Sequence, residues 1–131
     1  MLPHVRQREP FELSRLGVHV HDRRRWPGVM VGSEPRGFYY AQPWARFHTT
    51  QDRVWIDGVE DKERRILRGR ALEVTVVPAP EYGDRDFWVC NGHHTLAAYL
   101  YLRRDPYLRY FDRVVYGFAI AVPTFDPWAR R

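Results

Sequence analysis

The chain has 131 residues, 44% of them hydrophobic, with a formal charge of +5 and a pI of about 9.7. Length and apolar share predict a single domain over residues 1–131 with one core. No apolar run approaches the roughly 18–20 residues that spanning a bilayer needs, residues 1–10 carry no apolar leader, and one cysteine, Cys90, excludes an internal disulfide. The expectation is a cytoplasmic protein without a membrane partner.

The charge is almost all arginine, because Lys62 is the only lysine. A basic balance invites nucleic acid, DNA or RNA, as a partner, and arginine forks suit phosphate. A GC-rich coding sequence gives the same bias. Arg23–Arg24–Arg25, Arg64–Arg65 and Arg103–Arg104 read as solvated faces, and Arg130–Arg131, after Pro123 and Pro127, as a frayed tail.

Residues 1–15 are polar and proline-flanked and read as a loose arm. Residues 16–21 alternate well enough for a short strand. His19 and His21 share one face of it, but without a third ligand no metal site is assigned. Pro27, Gly28, Gly32, Pro35 and Gly37 make a loop around a brief strand at 29–31. Residues 33–40 suggest a shaped loop that stacks a base and sets Arg36 on a phosphate. Phe38 and Tyr40 are equally well alternating core residues. Strands are expected at 38–40, 44–48 and 53–56.

Residues 59–67 form a charged helix, acids leading and bases trailing, which suits the helix dipole. Asp57 is its expected N-cap and Gly69 its C′ residue, with Val59, Lys62, Ile66 and Leu67 on one face. Residues 72–77 are the clearest strand, and 87–90 return as its hairpin partner. Residues 94–103 are the clearest helix, ended by Pro106. A short helical turn at 107–112 and a final, central strand at 113–122 complete the chain. The fold class is α+β, a small mixed sheet with few helices.

The segment of greatest functional interest is Asp86-Phe-Trp-Val-Cys-Asn-Gly-His-His-Thr-Leu-Ala-Ala. A strand, a glycine turn and a helix start make an anion site, because the first helical N–H groups lack internal partners and the dipole favours negative charge. His93, His94 and Thr95 add donors, and a histidine works as acid or base near neutrality. Cys90 precedes the turn and reads as a buried structural thiol.

Residues 59–104 resemble the ParB/sulfiredoxin-like superfamily, whose signature runs D-G-H-H-R-x-A-A, G-E-R-R-x-R-A or G-C-H-R-x-A-A. The matching residues are Asn91, Gly92, His93, His94, Thr95, Leu96, Ala97 and Ala98. The resemblance implies a core over residues 57–122 whose turn holds a nucleotide, with ATP, ADP and CTP all open and Mg2+ as a companion ion. The superfamily includes nucleotide hydrolysis, ATP-dependent sulfinic acid reduction, a free-serine kinase and DNA nucleases. Phosphoryl transfer or nucleotide hydrolysis at the turn is therefore the first expectation. A non-catalytic nucleic-acid-binding domain and a DNA nuclease are the alternatives.

Two positions depart from the signature. Asn91 replaces the acid, keeping turn chemistry while removing a carboxylate. Thr95 replaces the arginine, whose charge-assisted fork carries much of a phosphate's binding energy. Arg36, Arg68 and Arg70 are the candidates to replace it. The candidate catalytic residues are His93, His94, Asp57 and Glu60, the acids serving as base or magnesium ligand. The candidate nucleotide contacts are Asn91, Gly92, His93, His94, Thr95, Arg36 and Arg68.

Overall fold

The computed structural model describes residues 9–115 and 118–119. Eleven short strands and two helices are arranged among them. β1 (Pro10–Glu12) and β6 (Arg53–Trp55) pair antiparallel as a two-stranded ribbon. The main sheet has six strands, β2 (His19–Val20), β4 (Gly37–Tyr40), β5 (Arg46–Thr49), β7 (Glu73–Pro78), β8 (Asp86–Asn91) and β9 (Tyr107–Tyr110). Their order is β2-β5-β8-β7-β9-β4. β3 (Val29–Val31), β10 (Arg113–Val115) and β11 (Phe118–Ala119) form a third sheet. The fold is α+β with a mixed sheet.

Direction within the main sheet decides where a ligand can sit. β2 runs parallel to β5, and β5 parallel to β8. β7 and β9 run the other way, and β4 is antiparallel to β9. The carboxyl ends of β2, β5 and β8 therefore lie together along one margin, and α2 (His93–Tyr101) begins there directly after β8.

Alternation sorts side chains between the two faces. Val74, Val76, Phe87, Val89, Phe47 and Leu108 belong to the larger core, with Val59 and Ile66 of α1 (Ile56–Leu67) and Leu96 to Tyr99 of α2. Val77, Trp88, Val29 and Phe111 form a smaller cluster with Trp26 and Tyr82. Tyr99 ties α2 to the sheet by donating its hydroxyl to the Leu72 carbonyl at 2.7 Å.

Several expectations change. The first residues described are not a loose arm, since β1 pairs with β6 and Leu13 is fully buried. The rest of that segment, residues 1–8, lies outside the described residues. Asp57 is not the N-cap; α1 starts earlier, Trp55 occupies the cap, and Asp57 sits in the first turn. Leu67 is exposed, leaving Val59 and Ile66 as the buried stripe. Residues 107–110 form strand β9 rather than a helical turn. Leu108 and Tyr110 are buried there in alternation, and pairing between β7 and β4 satisfies the backbone. Residues 113–115 form β10, which pairs with β11 on one side and β3 on the other and so is central in the small third sheet, not in the main one. The remainder of that stretch, 116–117 and 120–122, lies outside the described residues. Gly69 holds its expected place, with φ of +89° just after α1.

Candidate functional site

Gly92 sits between β8 and α2 with φ of +88°. A Cβ there would lie 3.0 Å from the Glu73 carbonyl oxygen and 3.2 Å from Val74 Cα, both rigid backbone. Glycine is thus required twice, by conformation and by close approach. Asn91 turns back so that its Oδ1 accepts the Gly92 N–H at 2.8 Å. The first intrahelical bond runs from Leu96 N–H to the Gly92 carbonyl. No side chain caps α2, so its leading amides face the margin where the parallel strands end.

The two histidines of the turn diverge. His93 reaches β5, with Nε2 2.7 Å from Thr49 Oγ1. Burial, and secondarily the charge of His94, pushes its pKa down to about 4, so it is neutral at physiological pH. His94 points to the β6–α1 junction. Its Nε2 accepts the Trp55 N–H at 3.1 Å and so stands in for the missing cap of α1. A Cβ on Gly58 would meet His94 Cδ2 at 2.6 Å, so that glycine makes room for the ring. The lone pair of His94 is committed to structure. Thr95 is buried and does not stand at the mouth.

An open cleft of about 380 Å3 lies beside the turn, lined by Arg23, Trp26, Thr49, Gln51, Cys90 and His93 among others. It shares Arg23, Thr50 and Gln51 with a second hollow that adds Val20, His21 and Asp52. Together they form a trough over the carboxyl ends of β2, β5 and β8. Arg23 opens a turn of 3-10 helix (Arg23–Arg25) capped by Asp22, whose side chain accepts the Arg24 N–H at 2.9 Å. Asp22 also pairs with the Arg24 guanidinium, which leaves Arg23 exposed at the cleft. Cys90 is half-buried, and burial pushes its thiol up to about 12, which suits a structural residue and not a nucleophile.

The other arginine candidates are elsewhere. Arg36 pairs with Asp112 at 3.0 Å, and its N–H bonds the Tyr110 carbonyl, next to edge strand β4 at the far side of the sheet. Arg68 caps the carboxyl end of α1, a helix length from Gly58 and His94. Arg70 lines a third hollow with Tyr40, Tyr99, Arg103 and Arg104. Asp57 is near enough to His94 for its charge to raise that pKa against the lowering by burial. Glu60 faces a different, apolar hollow with Phe11, Val59 and Glu63. Of the expected residues, His93 lines the cleft and Asn91 and Gly92 adjoin it in the chain between Cys90 and His93, while Glu60, Arg36 and Arg68 lie elsewhere.

Sequence reading missed Arg23, Thr49, His48 and Asp86. Arg23 was hidden in a run of three arginines. His48 and Asp86 lie on neighbouring parallel strands joined across 37 residues of intervening chain, and no local spacing signals such a pair. Among the described residues no group of three or more His, Cys, Asp or Glu is placed to hold a metal ion, and no helix is long and apolar enough to cross a membrane. Compared with family models, curated proteins and solved structures, the chain matches none.

Proposed function

We propose that this protein is a ParB/sulfiredoxin-like domain that binds a nucleotide or another phosphate-bearing ligand in the trough beside Gly92. One observation carries the reading. The carboxyl ends of β5 and β8 and the start of α2 converge on one cleft, that of β2 on the hollow adjoining it, and Arg23 lines both. Ligands of α/β sheets lie outside the carboxyl ends of parallel strands, where helix dipoles favour anions. Arg23 takes the part that the signature gives to an arginine where this chain has Thr95. Trp26 offers an aromatic surface at the same cleft for a base. Asp52 lines the trough's other end and is our candidate for the carboxylate that would share a magnesium ion with the ligand's phosphates.

Thermal shift with ATP, ADP, CTP and GTP, each with and without magnesium, tests the reading. Ligand at 100 times its dissociation constant adds about 2.7 kcal/mol. Arg23→Ala should remove most of that shift while leaving the unliganded melting temperature in place. A shift indifferent to Arg23 would move the site elsewhere.

A different surface supports a second reading, single-stranded nucleic acid. Phe38 and Tyr40 are exposed on β4, and the Tyr107 ring lies 6.2 and 4.8 Å from theirs. Arg70, Arg103 and Arg104 line the hollow beside Tyr40. Stacked aromatics next to arginines grip single strands with strong salt dependence. Binding of an oligonucleotide that weakens steeply with salt and is lost in Tyr40→Ala supports it. A flat salt response removes it.

A further inference from the structure

Across the sheet from the helices lies a second group of titratable side chains. Asp86 is 2% exposed, and Arg46 holds both its oxygens, Nε to Oδ1 at 3.0 Å and Nη2 to Oδ2 at 2.8 Å. His48, 4% exposed, places Nε2 2.5 Å from Asp86 Oδ1 and Nδ1 2.8 Å from His21 Nε2. Tyr82 stacks on both imidazoles, 4.2 Å from the ring centre of His48 and 4.8 Å from that of His21. His19 stacks on His48 at 4.8 Å.

The direction of each hydrogen bond follows from chemistry. An ionised carboxylate only accepts, so His48 Nε2–H donates to Asp86. In neutral His48, Nδ1 is then a lone pair, and His21 Nε2–H must donate to it. Of the ring nitrogens of these two imidazoles, His21 Nδ1 then carries the remaining lone pair. Burial first, then the positive surroundings of His48, His19 and Arg25, lowers the pKa of His21, with Glu81 acting against them. Burial lowers His48 as well, against the pull of Asp86. Burial raises Asp86, but Arg46 and His48 outweigh it and keep the carboxyl below its usual range. His21 lines the trough with Arg23, Thr50, Gln51 and Asp52.

We propose that His21 is the general base of this trough, with His48 and Asp86 as positioning residues that keep its Nδ1 lone pair free to deprotonate an attacking water. The inference rests on the phosphate reading for its substrate. Water gives one proton to His21 Nδ1 while its oxygen bonds to phosphorus. The bond from phosphorus to the leaving oxygen breaks, and its electron pair stays on that oxygen. His21 becomes an imidazolium, steadied through His48 by Asp86, and then releases the proton to solvent. Apart from the His21 imidazolium, which an in-line displacement places on the side of the attacking water, no described side chain lining the trough is a ready acid for the leaving oxygen. His93 is neutral, the thiol of Cys90 is held at about 12, and arginine does not give up its proton. The leaving group must depart unprotonated, as a phosphate does and an alkoxide does not. The substrate class is therefore a phosphoanhydride.

The experiment pairs binding of ATP and CTP, by calorimetry with magnesium, with phosphate release, for the intact chain, His21→Gln and His48→Gln. His21→Gln should slow release about 100-fold or more while the dissociation constant stays within about threefold. His48→Gln should slow release about tenfold or more and shift the acid limb of the pH–rate profile, which a packing role would not move. That limb also senses His19, Arg25, Glu81, Arg23 and Asp52 around the ring. Nitrogen-15 spectra of the intact chain should show both His21 and His48 protonated at Nε2. Binding without release, release undiminished in His21→Gln, or His21 protonated at Nδ1 would each overturn the inference and leave the phosphate site standing. Failure of every nucleotide to bind would overturn the site itself, and the inference with it.

Discussion

The two faces of the main sheet use the same strands for opposite purposes. Toward the helices, β5 and β8 present Phe47, Phe87 and Val89, all buried among hydrophobic neighbours. On the reverse they present Arg46, His48, Asp86 and Trp88, joined by hydrogen bonds and stacked rings. Burial does different work on each side. On the first it drives folding. On the second it keeps imidazoles neutral and makes the buried polar atoms depend on their few partners. Stability should therefore be concentrated on the helix face and proton chemistry on the reverse.

The largest effect should come from emptying the helix face. Phe87→Ala should cost about 4 kcal/mol in urea unfolding, the usual toll of a buried phenylalanine. Asp86→Ala attacks the reverse face and should cost about 3 kcal/mol, because His48 loses its buried acceptor. A loss as large as that of Phe87→Ala would mean that the reverse face also holds the fold together. Acid gives a sharper contrast. His93 is near its ordinary 6.5 when unfolded and about 4 when folded, so its contribution is complete above pH 6.5 and fades as pH falls toward 4. His21, His48 and His94 are lowered in the same direction. Up to about 3 kcal/mol should disappear over that window from His93, and His93→Gln should flatten the decline. Stability that is level from pH 7 to 4 would contradict the buried, neutral imidazole.

Gly92→Ala should cost about 2 kcal/mol, since alanine resists the left-handed region and its Cβ presses on the β7 backbone. The smallest effect separates the adjacent histidines. His94→Ala removes the acceptor that Nε2 offers the Trp55 N–H and should cost about 1 kcal/mol with or without ligand. A His94→Ala variant of normal stability that no longer binds nucleotide would return that residue to the site.

Much of the hairpin–turn–helix was legible locally. The run 72–77, the return at 87–90, the glycine turn and a helix placed one residue late, from 94, all depend on neighbours a few residues apart, and strands and caps report such neighbours. β9 was misread because four residues between Pro106 and Asp112 carry too little periodicity to separate strand from turn. Its pairing with β7 and β4 supplied what its sequence lacked. The trough was legible only on its Gly92 side. Two imidazoles adjacent in sequence looked like one site, yet successive positions at a helix start diverge by about 100°. His93 consequently faces β5 and His94 faces α1.

By itself the sequence determined the α+β character, the glycine turn and the apolar stripes of β7, β8 and α2, because these follow from backbone sterics and alternation within short windows. Which residues meet at the trough was decided by tertiary structure alone. Parallel pairing of β2, β5 and β8 brings Arg23, His21, His48 and Asp86 together from separate stretches, and it carries Arg36 and Arg68 away from the turn. Strand order is a property of the whole sheet, set by where every apolar face finds its cover, and no local spacing encodes it.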